Sequence, residues 1–278
     1  MTPGGSSALR RLVHAPAAMV GAAIVLGFVA VALLAPWIAP YDPNASDWMA
    51  IRQPPSGAHP FGTDDLGRDV LSRVIFGARA SLGAGFVSIV VALAIGVPLG
   101  LAAGYFRPVA DVLISRVADA LLAVPFLVLA IALAAFLGPS LENAMIAIGL
   151  SAMPIFVRLV RGQTLVVAAE EYVTAARSLG VGNAQIILRH VLPNVLAPIV
   201  VQATLTLAAA VLAEASLAFL GLGQLPPAPS WGSMLDVARQ FLEEAPWMAV
   251  WPGLAIILLV VGVNLLGDGL NDALGPRD

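Results

Sequence analysis

Charge is missing from this chain in long blocks. Residues 12–41 hold no Asp, Glu, Lys or Arg, and neither do 80–106, 120–141, 143–157, 191–213 and 245–267. A helix needs about 20 apolar residues to cross the hydrocarbon core of a bilayer. Five blocks reach that length. The 143–157 block reaches it by extension through Arg158, whose charge can snorkel, to Leu159 and Val160. The spacing therefore predicts six transmembrane helices, at 17–38, 80–104, 118–137, 142–160, 195–219 and 247–267. Helices are required because lipid offers no partner to an open sheet edge. The predicted fold class is an all-α polytopic membrane protein. Arg10 and Arg11 precede the first apolar run like a secretory leader, but the run is too long and no small-x-small site clearly closes it. It reads as a retained span.

Composition agrees and excludes several functions. Only 11% of the 278 residues are charged, against roughly a quarter in a soluble domain. The 14 basic and 17 acidic residues nearly cancel, so no surplus charge exists to hold nucleic acid. Cysteine is absent, which removes disulfides, thiolate metal sites and thiol nucleophiles. Every basic residue is Arg, so a GxxxxGK[ST] phosphate loop cannot exist here. His14, His59 and His190 are too scattered to form a metal cluster from adjacent positions.

Placing the N-terminus inside leaves nine Arg in cytoplasmic segments and five outside, which favours cytoplasmic termini. The tails are then 1–16 and 268–278, with short connections at 105–117 and 138–141. Three longer connections remain. The outer one, 39–79, is Pro-rich until Phe61. From Thr63 it reads as an amphipathic helix, capped by Thr63 or Asp64, with Asp69 and Arg73 as an i,i+4 pair. It is either a docking surface for an external partner or a helix lying on the bilayer. Asp64, Asp65 and Asp69 lack the spacing of a calcium loop and read as caps and pairs.

The inner connection, 161–194, is patterned. Glu170 and Glu171 open a short helix that closes at Arg177, Leu179 and Gly180, with charges suited to the helix dipole and Gly180 at the C′ position. A second short helix follows from Ala184 to Leu192, and Pro193 precedes the next span. So ordered a loop reads as a handle for another protein. The third connection, 220–246, holds an ordered Leu225–Gly232 loop, and Trp231 and Trp247 suit a membrane interface. Glu214 is the one acid well inside a predicted span, near its outer end and free to snorkel. It reads as structural or gating rather than as a proton relay.

The residues also resemble a known family. Glu170-Glu171-Tyr172-Val173-Thr174-Ala175-Ala176-Arg177-Ser178-Leu179-Gly180, continuing to Leu192-Pro193-Asn194, resembles the EAA loop of ABC importer permeases. The segments His59–Asp64, Gly67–Val70, Glu214–Gly223, Pro229–Gly232 and Asn264–Leu274 narrow this to the C-type permease subunit of dipeptide/oligopeptide importers. Thr174 stands where the motif has Glu, His190 where it has Ile, and Asn271 where the family usually has Arg.

The resemblance implies a type I ABC importer permease fold in a bacterial cytoplasmic membrane. It implies a second, homologous permease subunit, two cytoplasmic ATPases that hold ATP and Mg, and an extracytoplasmic binding protein. The chain itself would bind no cofactor and catalyse nothing. Glu170, Glu171, Thr174, Ala175, Ala176, Arg177, Leu179, Gly180, Leu192 and Pro193 would form the ATPase-coupling loop. Glu214 would gate or line the pathway, and Asp64, Asp65, Arg68, Asp69 and Trp231 would face the binding protein. The ligand would be a di- or oligopeptide, though nickel complexes, haem and glutathione use similar permeases. An ion-coupled secondary transporter is the rival reading. It predicts midplane ionisable groups and inverted repeats, and the spans show neither clearly.

Overall fold

A computed structural model describes residues 15–274. The predicted tails reach beyond these, so Arg10, Arg11 and Arg277 lie outside the described residues. Among the described residues ten α-helices follow one another: α1 Pro16–Ile38, α2 Val70–Tyr105, α3 Val109–Leu122, α4 Phe126–Leu137, α5 Leu141–Ala168, α6 Glu171–Ser178, α7 Asn183–Ile186, α8 Leu192–Phe219, α9 Trp231–Ala238 and α10 Trp247–Leu274. Among the described residues β pairing is limited to one isolated bridge, Thr63 with Asp69. Five helices are long and apolar enough to span a bilayer, or six if α3 and α4 count together.

Five boundaries differ from expectation. The 63–69 segment is not helical; α2 begins at Val70 and runs unbroken through the predicted second span. Its cap is Asp69, not Thr63 or Asp64, because the Asp69 carboxylate accepts from the Ser72 amide at 2.8 Å. The predicted third span is two helices bent by 93°. Pro125 explains the break, since it bars the helical conformation at Val124 and cannot donate to the preceding turn. The two acids of α3 are taken up by α5: Asp111 receives both Nε and Nη2 of Arg161, and Asp119 pairs with Arg158 at 2.5 Å. The fourth and sixth predicted spans both run further as helix, to Ala168 and Leu274. Finally, α9 occupies part of the connection read as loop, opened by a reciprocal capping box between Ser230 and Ser233.

The tightest packing joins α2 to α5. Gly96, Gly100 and Gly104 recur every four residues, so they share one face of α2. A Cβ on Gly96 would stand 2.8 Å from the Phe156 Cβ, on Gly100 2.6 Å from the Val160 Cβ, and on Gly104 2.6 Å from the Thr164 Cβ. Small residues let the backbones meet, which matters where lipid supplies no hydrophobic drive between helices. On the other flank α1 packs on α10, with Gly21 against Gly262. At the Val70 end of α2 lies a core of Val70, Ala78, Trp231, Met234, Met248 and Leu259. At the Tyr105 end a second core gathers Leu101, Val160, Val173, Ile186, Val191 and Val195. These ends are about 54 Å apart along α2.

Candidate functional site

The Tyr105 end carries the segment most unlike a simple connection. Helix α6 begins at Glu171, with Glu170 in extended conformation before it. It ends in a complete Schellman motif. The Gly180 amide donates to Arg177 O at 3.0 Å and the Val181 amide to Ala176 O at 3.1 Å. Gly180 has φ +77, the left-handed conformation that this closure requires and that a Cβ disfavours. Val173 and Ile186 are both fully buried in the core beneath, which pins α6 and α7 to the long helices.

Helix α7 does not stop before Pro193 as expected. It passes through a π turn, Ile187–Val191, directly into α8. The wide turn sits where the ring and missing N–H of Pro193 would break a regular α ladder. The second short helix is therefore continuous with a spanning helix.

The outward face of this pair is available. Glu170, Glu171, Thr174, Ala175, Arg177 and Gly180 are exposed, as is Pro193, and Ala176 and Leu192 are half-buried. Leu179 is 84% exposed, an apolar side chain standing alone on a polar turn. Not every exposed group is uncommitted. The Arg177 guanidinium lies 5.3 Å over the Tyr105 ring, whose hydroxyl donates to Asn183 at 2.9 Å. Burial, and then the Glu170 carboxylate, push the Tyr172 phenol up; its oxygen accepts from the Asn194 amide at 3.2 Å. Tyr105 had no signal in sequence, because it lies 78 residues from Asn183.

At the opposite end, four of the five residues expected to face a partner turn inward. Asp64, Arg68 and Asp69 are 5%, 6% and 2% exposed, and Trp231 is fully buried. Asp64 accepts from the Leu66 and Arg68 amides and from Arg68 Nε at 2.7 Å. Arg73 pairs with Asp64 at 3.4 Å rather than with Asp69, and donates to Pro43 O and Pro227 O. Asp69 is committed to the α2 cap and to His59, 3.0 Å away. Trp231 donates to Val74 O at 3.0 Å and meets Phe28 edge-on, so it is a core residue and not an interface anchor. The physical reason is common to all: a charge or indole N–H taken from water needs a partner, and this loop supplies them internally. Asp65 alone of the set is half-buried; burial and then neighbouring Asp64 raise its carboxyl above the ordinary range.

Glu214 is likewise not snorkelling. It is fully buried, and its Oε2 accepts from Ser81 at 3.0 Å. Ser81 lies 133 residues away, so no local pattern could have revealed it. Among the described residues no group of three or more His, Asp or Glu could hold a metal ion.

Comparison with known proteins bears on these features together. Residues 96–277 match a family described as the binding-protein-dependent transport system inner membrane component. Residues 5–55 match the N-terminal TM domain of oligopeptide transport permease C. The dipeptide transport system permease protein DppC of Alkalihalophilus pseudofirmus is 47% identical over 270 residues, 97% of this chain and 89% of that protein. The glutathione transport system permease protein GsiD of Pectobacterium atrosepticum is 44% identical over 269 residues, 96% of this chain and 89% of that one. Among solved structures, the inward-facing MetNI methionine ABC transporter superposes with a TM-score of 0.60 at 22% identity, covering 73% of this chain and 97% of the other. That likeness carries the fold, a type I ABC importer permease. The chain belongs to the binding-protein-dependent transport system inner membrane component family and is a multi-pass membrane permease subunit of the ABC importer class.

Proposed function

We propose that this chain forms half of the translocation pathway of an ATP-driven importer of di- or oligopeptides. A homologous permease subunit supplies the other half. Two cytoplasmic ATPases seat on the α6–α7 pair of each subunit, and an extracytoplasmic binding protein delivers the peptide at the Val70 end of α2. The observation that carries this reading is the unbroken path from α7 through the π turn into α8. A push on the exposed Leu179–Gly180 turn has a rigid route into a spanning helix. ATP binding closes the ATPases, draws the paired coupling helices together and opens the spans outward; hydrolysis resets them. The dipeptide and di/tripeptide permeases at 47% identity support the peptide as ligand. The glutathione permeases, at 44% to 46%, support a γ-linked tripeptide as the second reading.

Gly180→Trp tests the coupling. Its Cβ would meet nothing within 4 Å, so the bulk projects outward while the positive φ is strained. ATP-dependent uptake of a labelled dipeptide should fall at least tenfold with the chain still inserted. Wild-type uptake together with normal ATPase assembly would overturn the assignment.

A further inference from the structure

A groove of about 660 Å³ opens between α1, α2, α8 and α10. Its walls are apolar, among them Val29, Leu33, Leu82, Phe86 and Leu207, and Arg79 is the one charged residue lining it. Arg79 is exposed and makes no ion pair or hydrogen bond among the described residues, whereas nearby Arg68 and Arg73 are both taken by Asp64. It sits one residue before the apolar block that begins at Ala80, where hydrocarbon gives way to headgroups.

We propose that this groove binds an anionic phospholipid, with one acyl chain laid along the apolar wall and the phosphate on the Arg79 guanidinium. The dimensions fit one leaflet. From Arg79 to Phe86 the groove descends roughly 10 Å along α2, within the roughly 15 Å half-thickness of a hydrocarbon core. The floor at Gly83 is bare, since a Cβ there would meet nothing within 4 Å. A guanidinium presents a planar fork of donors that matches phosphate oxygens, and in this setting it lacks a protein anion. A neutral helix from another chain would fill the apolar wall but leave that charge unpaired. Lipid from the surrounding bilayer satisfies both parts at once.

Native mass spectrometry of the purified full-length chain tests this, with dioleoyl phosphatidylglycerol as probe and dioleoyl phosphatidylcholine as the neutral control. The wild type should retain the glycerol lipid preferentially. Arg79→Gln should lower that retention about fivefold, to the level of the choline lipid, as expected for one basic side chain at an anionic surface. Gly83→Leu, whose added Cβ meets nothing within 4 Å and whose isobutyl group occupies the floor, should lower retention of both. An unchanged preference in Arg79→Gln, or full retention in Gly83→Leu, overturns the proposal. In native membranes, Phe86→p-benzoylphenylalanine should photocrosslink to phospholipid; crosslinking to another protein chain instead overturns it too.

Discussion

Glu214 shows how little of a residue's role is visible in its neighbours along the chain. In sequence it is an acid among apolar residues. In the structure it is sealed between helices and accepts from Ser81 at 3.0 Å, while Oε1 has no hydrogen-bond partner among the described residues. A buried carboxylate is costly to keep charged, so a structural acceptor is the simplest role consistent with one hydroxyl partner. Glu214→Gln keeps the volume and an acceptor for Ser81. It should alter thermal stability by no more than about 1 kcal/mol and leave the pH profile of uptake unchanged. Glu214→Ala removes the acceptor and opens a cavity, costing about 2–4 kcal/mol in thermal unfolding in detergent. A pH profile displaced by Glu214→Gln would instead reveal a proton relay. The EAA-like segment was far more legible, because capping and helix closure are local events. The place of Gly180 after Arg177 and Leu179 predicts the C′ position, and its φ of +77 is the conformation that position needs.

Elements were legible where apolar length alone decides them, and misread where a partner decides them. The break in the third predicted span follows from Pro125, but the course of α3 follows from Arg158 and Arg161 on α5, 39 and 50 residues away. The α2–α5 seam is similar. A Gly-x-x-x-Gly pattern at Gly96 and Gly100 is common in membrane helices and by itself names no partner. The structure sets it against Phe156 and Val160. Gly100→Leu would drive a side chain into Val160 and the Val157 carbonyl, both within 3.0 Å of the added Cβ. It should destabilise the fold by about 3 kcal/mol or more, read as loss of the monodisperse species in detergent. Gly162→Leu on α5, where a Cβ meets nothing within 4 Å, should elute as the wild type does. Equal behaviour of the two variants would refute the seam.

For the whole molecule, the Val70 end is tied by contacts between distant segments. Arg73 alone joins Asp64, Pro43 and Pro227, the last of them 154 residues away. Arg73→Gln should cost about 3 kcal/mol, because it strips a partner from buried Asp64 and frees two carbonyls. Arg73→Lys should recover only part of this, since an ammonium cannot reproduce the guanidinium fork. Arg52, paired with a Glu244 side chain that is 67% exposed, should lose less than about 1 kcal/mol on replacement by Ala. Differential unfolding of the three variants checks the ranking. The proposed orientation has its own test, made simple by the absence of cysteine. Leu179→Cys, at a position 84% exposed, should react with a membrane-impermeant maleimide only in inverted vesicles, and Trp48→Cys, at a position 71% exposed, only in right-side-out ones. The opposite pattern would reverse the topology. Taken alone, the sequence determined the membrane class, the approximate spans and the glycine-closed turn after Arg177, because apolar length, charge spacing and helix capping act within a few residues. Only the tertiary structure decided that α7 runs into α8, that α3 turns aside to meet α5, and that Asp64 and Asp69 face inward. Each of those outcomes depends on which distant side chain satisfies a buried charge or a freed backbone group, and that pairing exists only once the helices have packed.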